Sequence, residues 1–265
     1  ETDVVQSEVQ DWNVDREEGL ARLNWLDNLE EWAYYPASEE LYIYADPRFV
    51  PTSTNVRIRV LHRMIHMRRA VNLEFKNLEF FGGSIKVEGV NILFEDCDFK
   101  QLHDITLPAY MNNGSTCTGL YTWNAEFVNC RFSEIPYVYN VKIRGLKSRV
   151  ENCLFTNMDW WAHPGGGGAE LGYIARYVTF ENSKIGGLGG SPLMEYCRIE
   201  DFKDPCDCSG INRGAHGAPR SMTRYNWIIN GPGANGIRID GGANGAGNRR
   251  GDIHHIITIG NNRGM

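Results

Sequence analysis

No apolar run in this 265-residue chain approaches the roughly 20 residues that a membrane-spanning helix needs. Excess positive charge is also missing. The formal net charge is −6, which argues against nucleic acid as a partner, because phosphate binders gather Lys and Arg. No Lys-Ser or Lys-Thr follows "GGGG" at 165–168, so that run is not a phosphate loop. Most of the seven cysteines stand singly, without the paired close spacings of a structural zinc site. A signal peptide and an initiating Met are absent, and "HHIITIGNNRGM" closes the chain without a polar tail. The chain therefore reads as a segment of a longer one, or as one whose leader has been removed.

What is present is ordinary in bulk: 42% hydrophobic and 23% charged residues, as in a soluble globular protein. The 29 glycines point to many turns and close backbone approaches. Two regions are expected. Residues 1–55 form an acidic N-terminal region in which "EWAYYPASEELYIYADP" predicts a β-hairpin. Residues 56–265 form the larger region. It opens on "VRIRVLHRMIHMRRAV", whose alternation favours a strand over a basic helix.

From residue 72 one short phrase recurs. "NLEF" centres on Leu78, "DCDF" on Cys97, "NCRF" on Cys130 and "NCLF" on Cys153. "NSKI" centres on Ser183, "YCRI" on Cys197, "YNWI" on Asn226 and "HHII" on His255. The step from Ser183 to Cys197 is too short for a repeat of the same kind, so one of the two is expected out of register. A second phrase, "SIKVEG" (84–89), "NVKIRG" (140–145) and "NGIRIDG" (235–241), accompanies the first. This period, with short β-branched strands and Gly/Asn turns, predicts an all-β stacked solenoid. Leu78, Cys97, Cys130, Cys153 and Asn226 should stack at the strand spacing. Phe80, Phe99, Phe132 and Phe155 should form an aromatic stack in the interior. The stacked cysteines then read as buried free thiols. Cys206 and Cys208 are candidates for a disulfide with each other, with Cys117, or outside this segment.

By these phrases the chain resembles the right-handed parallel β-helix (pectate-lyase-like) superfamily, and within it secreted bacterial parallel β-helix repeat proteins. The resemblance rests on "RYNWIINGPGANGIRID" (224–240) and "DIHHIITIGNNRG" (252–264), with "EWAYYPASEELYIY" ahead of the repeats. It implies a right-handed parallel β-helix preceded by a small hairpin, at the cell surface or secreted. It also implies a polysaccharide as partner, cleaved by a glycoside hydrolase or a polysaccharide lyase. Hydrolysis calls for no cofactor, whereas a lyase could take Ca2+. The alternative is a non-catalytic filament or adhesin protein that self-associates end to end.

Candidate chemistry lies on the strand face where the second phrase aligns Glu88, Arg144 and Asp240. A hydrolase needs two carboxylates, and Asp240 could be one, with Asp252, Glu170 or Asp201 as partner. A lyase needs a base and a cation on the uronate carboxylate, for which Lys142, Arg144, Arg213 and Arg238 are available. Asp240, His254 and Arg238 are therefore the catalytic candidates, with His254 expected to point toward Arg238 and Asp240. Arg144, the Arg213/His216/Arg220 loop, and Trp161 with His163 are the substrate-binding candidates. A turn role for Asp240 and a covering role for the tryptophans are the bland alternatives.

Overall fold

The computed structural model describes residues 63–102, 119–135, 141–158, 169–183, 187–189, 191–202, 209–213, 221–232, 234–239 and 251–261. It also describes the backbone of two short strands at 32–35 and 40–43. The chain divides into two compact units, Glu1–Val60 and Leu61–Met265. In the first unit, Trp32–Tyr35 and Glu40–Ile43 pair antiparallel with Tyr35 opposite Glu40, the hairpin that the aromatic–Pro–alternating pattern predicts.

In the second unit the described residues are strands and turns, with no helix among them. The strands fall into three ladders, and every pairing within them is parallel. Three long strands, Arg63–Lys76, Ser84–Glu95 and Leu120–Val128, run through the first and second ladders with a register break between. Val141–Arg144, Ala169–Leu171, Leu188–Gly189, Ser209–Arg213 and Asn235–Ile239 continue the first ladder. Arg149–Glu151, Ile174–Arg176, Leu193–Glu195, Ser221–Arg224 and Gly251–His254 continue the second. The third ladder runs from Glu79–Phe81 to Ile257–Ile259. The chain visits the ladders in the same order on each pass, a path compatible with a solenoid. We call each pass a rung.

The short phrase marks the turn from the second ladder to the third. Register places Leu78, Cys97, Cys130, Cys153, Val178, Cys197, Asn226 and Ile256 in one column. One expectation is resolved and two are corrected. Cys197 is in register and Ser183 is not: Ser183 lies opposite Phe202 at a strand end. The rung between Cys153 and Cys197 is "YVTF", centred on Val178, which lacks the phrase's Asn or Asp and its Cys. The last rung centres on Ile256 rather than His255, because Ile257 pairs with Trp227. Leu78, in the first rung of its column, is 45% exposed rather than interior.

The residue just before each centre has positive φ: Asn77, Asp96, Asn129, Asn152, then Tyr177, Tyr196, Tyr225 and His255. Asn and Asp tolerate this conformation because their short polar side chains bond locally. Here they also bond along the stack. Asn152 Nδ2 donates to Asn129 Oδ1 at 2.8 Å, and Asn129 Nδ2 to Asp96 Oδ1 at 3.2 Å.

Two phenylalanine stacks fill the interior. The expected one runs Phe80–Phe99–Phe132–Phe155, with neighbouring centroids 4.4–5.0 Å apart, and extends to Phe180. The second, from the second ladder, runs Phe75–Phe94–Phe127 at 4.7 Å. The two meet edge-on, as between Phe99 and Phe127 at 5.7 Å. Offset faces within a stack and edges between stacks suit the ring quadrupole. Glycine is required where "VEG" ends: a Cβ on Gly89 would sit 1.9 Å from the Ala70 carbonyl oxygen.

Candidate functional site

Alternation along the first ladder sends Ile85, Val87, Leu120, Thr122, Val141 and Ile143 inward. Their neighbours lie on the opposite side of the strands, where Lys142 is buried. Lys86, Tyr121, Lys142 and Glu170 follow one another in register, and Asn212 pairs with Arg238 farther along the ladder. Two residues on, Glu88, Trp123 and Arg144 form a second column. Trp123 is 45% exposed, with Glu88 on one side and Arg144 on the other.

Ion pairs organise this face. Arg144 donates from Nε and Nη2 to the two Glu170 oxygens at 2.6 and 2.8 Å, a two-pronged contact that fixes the guanidinium plane. Glu170 raises the Arg144 pKa further, so this group stays charged. Lys86 Nζ lies 3.2 Å from Glu88 and 5.1 Å from the Tyr121 ring centre, and Arg144 lies 6.0 Å from the same ring. Cations and aromatic rings thus alternate along the ladder axis.

The structure brings some sequence candidates together and separates others. Arg144 and Arg238 are on the first-ladder face as expected. His254 is not: it lies in the second ladder, in register with Arg224, and contacts His255 Nδ1 at 2.6 Å. The reason is strand membership: Gly251–His254 pairs with Ser221–Arg224 in the second ladder, whereas Arg238 lies in the first-ladder strand Asn235–Ile239. Asp252 is also in the second ladder, opposite Met222. Asp201 sits in a positive-φ turn, accepting from Asn230 Nδ2 at 3.0 Å. Arg213 ends the first-ladder strand Ser209–Arg213. Asp240, Trp161, His163, His216 and Arg220, with Cys117, Cys206 and Cys208, lie outside the described residues.

Sequence reasoning missed Tyr121 and Trp123. Their strand, "LYTWN", has aromatics where the sister phrases have Lys and Glu. Only alignment of the inward residues Leu120 and Thr122 with Ile85 and Val87 would have found it.

Two carboxylates on this face are described. Glu88 and Glu170 are three strand spacings apart, about 14 Å. Glycosidase pairs stand roughly 5–9.5 Å apart. Each also faces a cation, and Ca2+ requires roughly six to eight oxygens. These two side chains therefore form neither a hydrolytic pair nor a Ca2+ site. Among the described residues no group of three or more His, Cys, Asp or Glu is placed to hold a metal. A shallow depression of about 380 Å³ lies elsewhere, beside the turn carrying Leu146, Lys147 and Ser148. Its Arg149 pairs with both Glu126 and Glu151 at 2.8 and 3.0 Å.

The cysteine column carries no chemistry of its own. Cys97, Cys130, Cys153 and Cys197 are buried free thiols. Each donates to the carbonyl of a preceding rung: Cys97 to Phe75, Cys130 to Phe94, Cys153 to Phe127 and Cys197 to Ala175. Burial pushes Cys97 up and Cys197 up to about 12, and the hydrogen bond with Cys153 followed by burial raises Cys130. A thiol kept protonated is a poor nucleophile. These four thiols are expected to resist iodoacetamide in the native protein and to react in denaturant, as counted by intact mass. Alkylation of any of them under native conditions would contradict this placement.

Among the described residues no helix is long and apolar enough to cross a membrane. The chain matches no protein-family model and no curated protein.

Proposed function

We propose that Leu61–Met265 is a parallel β-helix whose first-ladder face engages an extended acidic polysaccharide and cleaves it by β-elimination. The observation carrying this reading is the pair of outer columns in which Lys86, Tyr121, Trp123 and Arg144 set cations beside aromatic rings. Segments between ladders add to it. Residues 159–168, with Trp161 and His163, enter the first ladder at Ala169. Residues 214–220, with His216 and Arg220, and 240–250, beginning at Asp240, leave it after Arg213 and Ile239. The segments that carry these candidates thus adjoin first-ladder strands in sequence, and connections between strands are where function concentrates. By contrast, every turn from the second ladder to the third is short.

Elimination needs a base at the carbon alpha to the uronate carboxylate and a cation on that carboxylate. Arg144, held flat by Glu170, and Arg238 supply the cation in this reading. Asp240, two residues beyond Arg238 in sequence, is assigned removal of the alpha proton; the carbon–carbon double bond forms as the glycosidic C–O bond at the β carbon breaks, and the leaving sugar oxygen takes a proton from water. His254 drops out because its ladder is different. Elimination is preferred to hydrolysis because Arg144 and Arg238 put two cations on this face, while its two described carboxylates, Glu88 and Glu170, are too far apart to act as a pair. Such a polymer is extracellular, so the reading puts the protein outside the cell or on its surface.

The test is a panel of acidic and neutral polysaccharides assayed for reducing ends and for the ultraviolet absorbance of unsaturated uronates. Arg144→Ala, Trp123→Ala and Asp240→Asn are run alongside. The expected result is absorbing product from a uronate polymer, with kcat/KM at least about tenfold lower in Arg144→Ala. Binding without product would favour the adhesin alternative. Neither binding nor turnover on any polymer would remove the polysaccharide reading.

A further inference from the structure

We propose a second binding surface for an acidic polysaccharide, on the turn between the second and third ladders, distinct from the first-ladder face. It is built from three parallel columns. The turn column holds Tyr177, Tyr196, Tyr225 and His255. Tyr177 and Tyr196 stack at 5.3 Å, Tyr196 and Tyr225 at 5.1 Å, and Tyr225 meets His255 at 4.8 Å. The strand end before it holds Arg176, Glu195, Arg224 and His254 in register. The strand start after it holds Arg198 and Trp227 in register.

Three features of this surface point to a ligand. First, the cations face water and the acids lie beneath them. Glu195 is 3% exposed and bridges Arg176 and Arg224, whose side chains are 37% and 33% exposed. Arg198 is 57% exposed over Glu200, which is 17% exposed. Solvent therefore meets guanidinium groups already held in place, together with the exposed rings of Tyr177, Tyr196 and Trp227. Second, the backbone pays for the tyrosines. Tyr177, Tyr196 and Tyr225 have φ of 52°, 57° and 56°, in the turn position that Asn77, Asn129 and Asn152 occupy in earlier rungs. A bulky side chain is strained there where Asn is not, and strain of this kind marks functional positions. Third, an aromatic side chain recurs at the turn in four successive rungs, Tyr177, Tyr196, Tyr225 and His255, at the strand spacing of about 4.8 Å. A row of like groups at a fixed interval suits a linear polymer with repeating anionic rings rather than a small ligand. Tyrosine hydroxyls and the positive ring edges complement the guanidinium groups toward such an anion. Nucleic acid, the other ringed polyanion, fits less well with a chain of net charge −6.

The experiment uses the full chain carrying Trp123→Ala and Arg144→Ala, which disable the first-ladder face. Binding to polygalacturonate, neutral dextran and a single-stranded DNA of matched charge is measured by calorimetry, with thermal melts of every variant. We expect residual polygalacturonate binding that Arg198→Ala, Trp227→Ala and Tyr196→Asn each weaken about tenfold, with dextran not bound. Tyr196→Asn restores the turn residue of the earlier rungs, so its melting point should hold while its affinity falls. A stack with a purely structural role would do the reverse. The proposal is overturned if no residual binding remains, if none of the three substitutions changes it, or if the DNA binds as tightly through the same residues. Turnover is not read, so loss of the elimination mechanism would leave this outcome intact.

Discussion

Phe127→Ala is expected to cost about 3–5 kcal/mol of stability, a large share of the roughly 5–15 kcal/mol that holds a domain together. Phe127 is fully buried and touches both aromatic stacks. It lies face to face with Phe94 at 4.7 Å, edge-on to Phe99 at 5.7 Å and tilted against Phe132 at 5.7 Å. Truncation removes the ring and leaves a void that neighbouring rungs cannot close, because their backbones are pinned by parallel pairing on both sides. Phe127→Leu keeps more of the volume and should lose less. Urea denaturation followed by circular dichroism checks this. A loss under about 1 kcal/mol for Phe127→Ala would mean that the interior repacks freely, against close packing of these stacks.

Glu195→Gln is the second large effect, and its signature is pH dependence. Burial alone would raise the Glu195 pKa. The Arg224 hydrogen bond and the Arg176 charge outweigh it and hold the carboxyl below the usual glutamate value of about 4.3. A carboxylate depressed in the folded state adds stability above its unfolded pKa and loses it as pH falls through the folded one. Breaking a buried ion pair costs about 3–5 kcal/mol. Arg176 and Arg224 keep about a third of their side-chain surface in water and can rehydrate, so about 2 kcal/mol is expected at neutral pH. Wild type and Glu195→Gln should therefore differ most at neutral pH and converge as acid protonates Glu195. Denaturation midpoints across this range supply the measurement. A gap that stays constant into acid would show that Glu195 does not titrate with the depressed pKa described.

Much of the fold is legible in the sequence because a stacked arrangement gives each rung the same environment. Buried small or thiol residues, inward phenylalanines and Asn at the left-handed turn recur because the same backbone site recurs. That is why "DCDF", "NCRF" and "NCLF" align by eye. "YVTF" escaped because Val178 keeps the apolar column while Tyr177 replaces the Asn that marked it. His255 was misread for the same reason: an aromatic took the turn position. The second phenylalanine stack was missed because Phe75, Phe94 and Phe127 precede the phrase rather than lie within it.

The sequence by itself determined the repeat, the inward columns and the residues that line the second phrase, since those follow from local periodicity. Only the tertiary structure decided which charged side chains meet. Arg144 reaches Glu170, and Glu195 lies between Arg176 and Arg224, across 19 to 29 residues of chain. Such contacts depend on register and on the lengths of the segments between rungs, neither of which local pattern encodes. A slip of one residue turns a side chain to the opposite side. Segment length acts too: residues 240–250 lie between Arg238 and the strand of His254, which pairs in the second ladder.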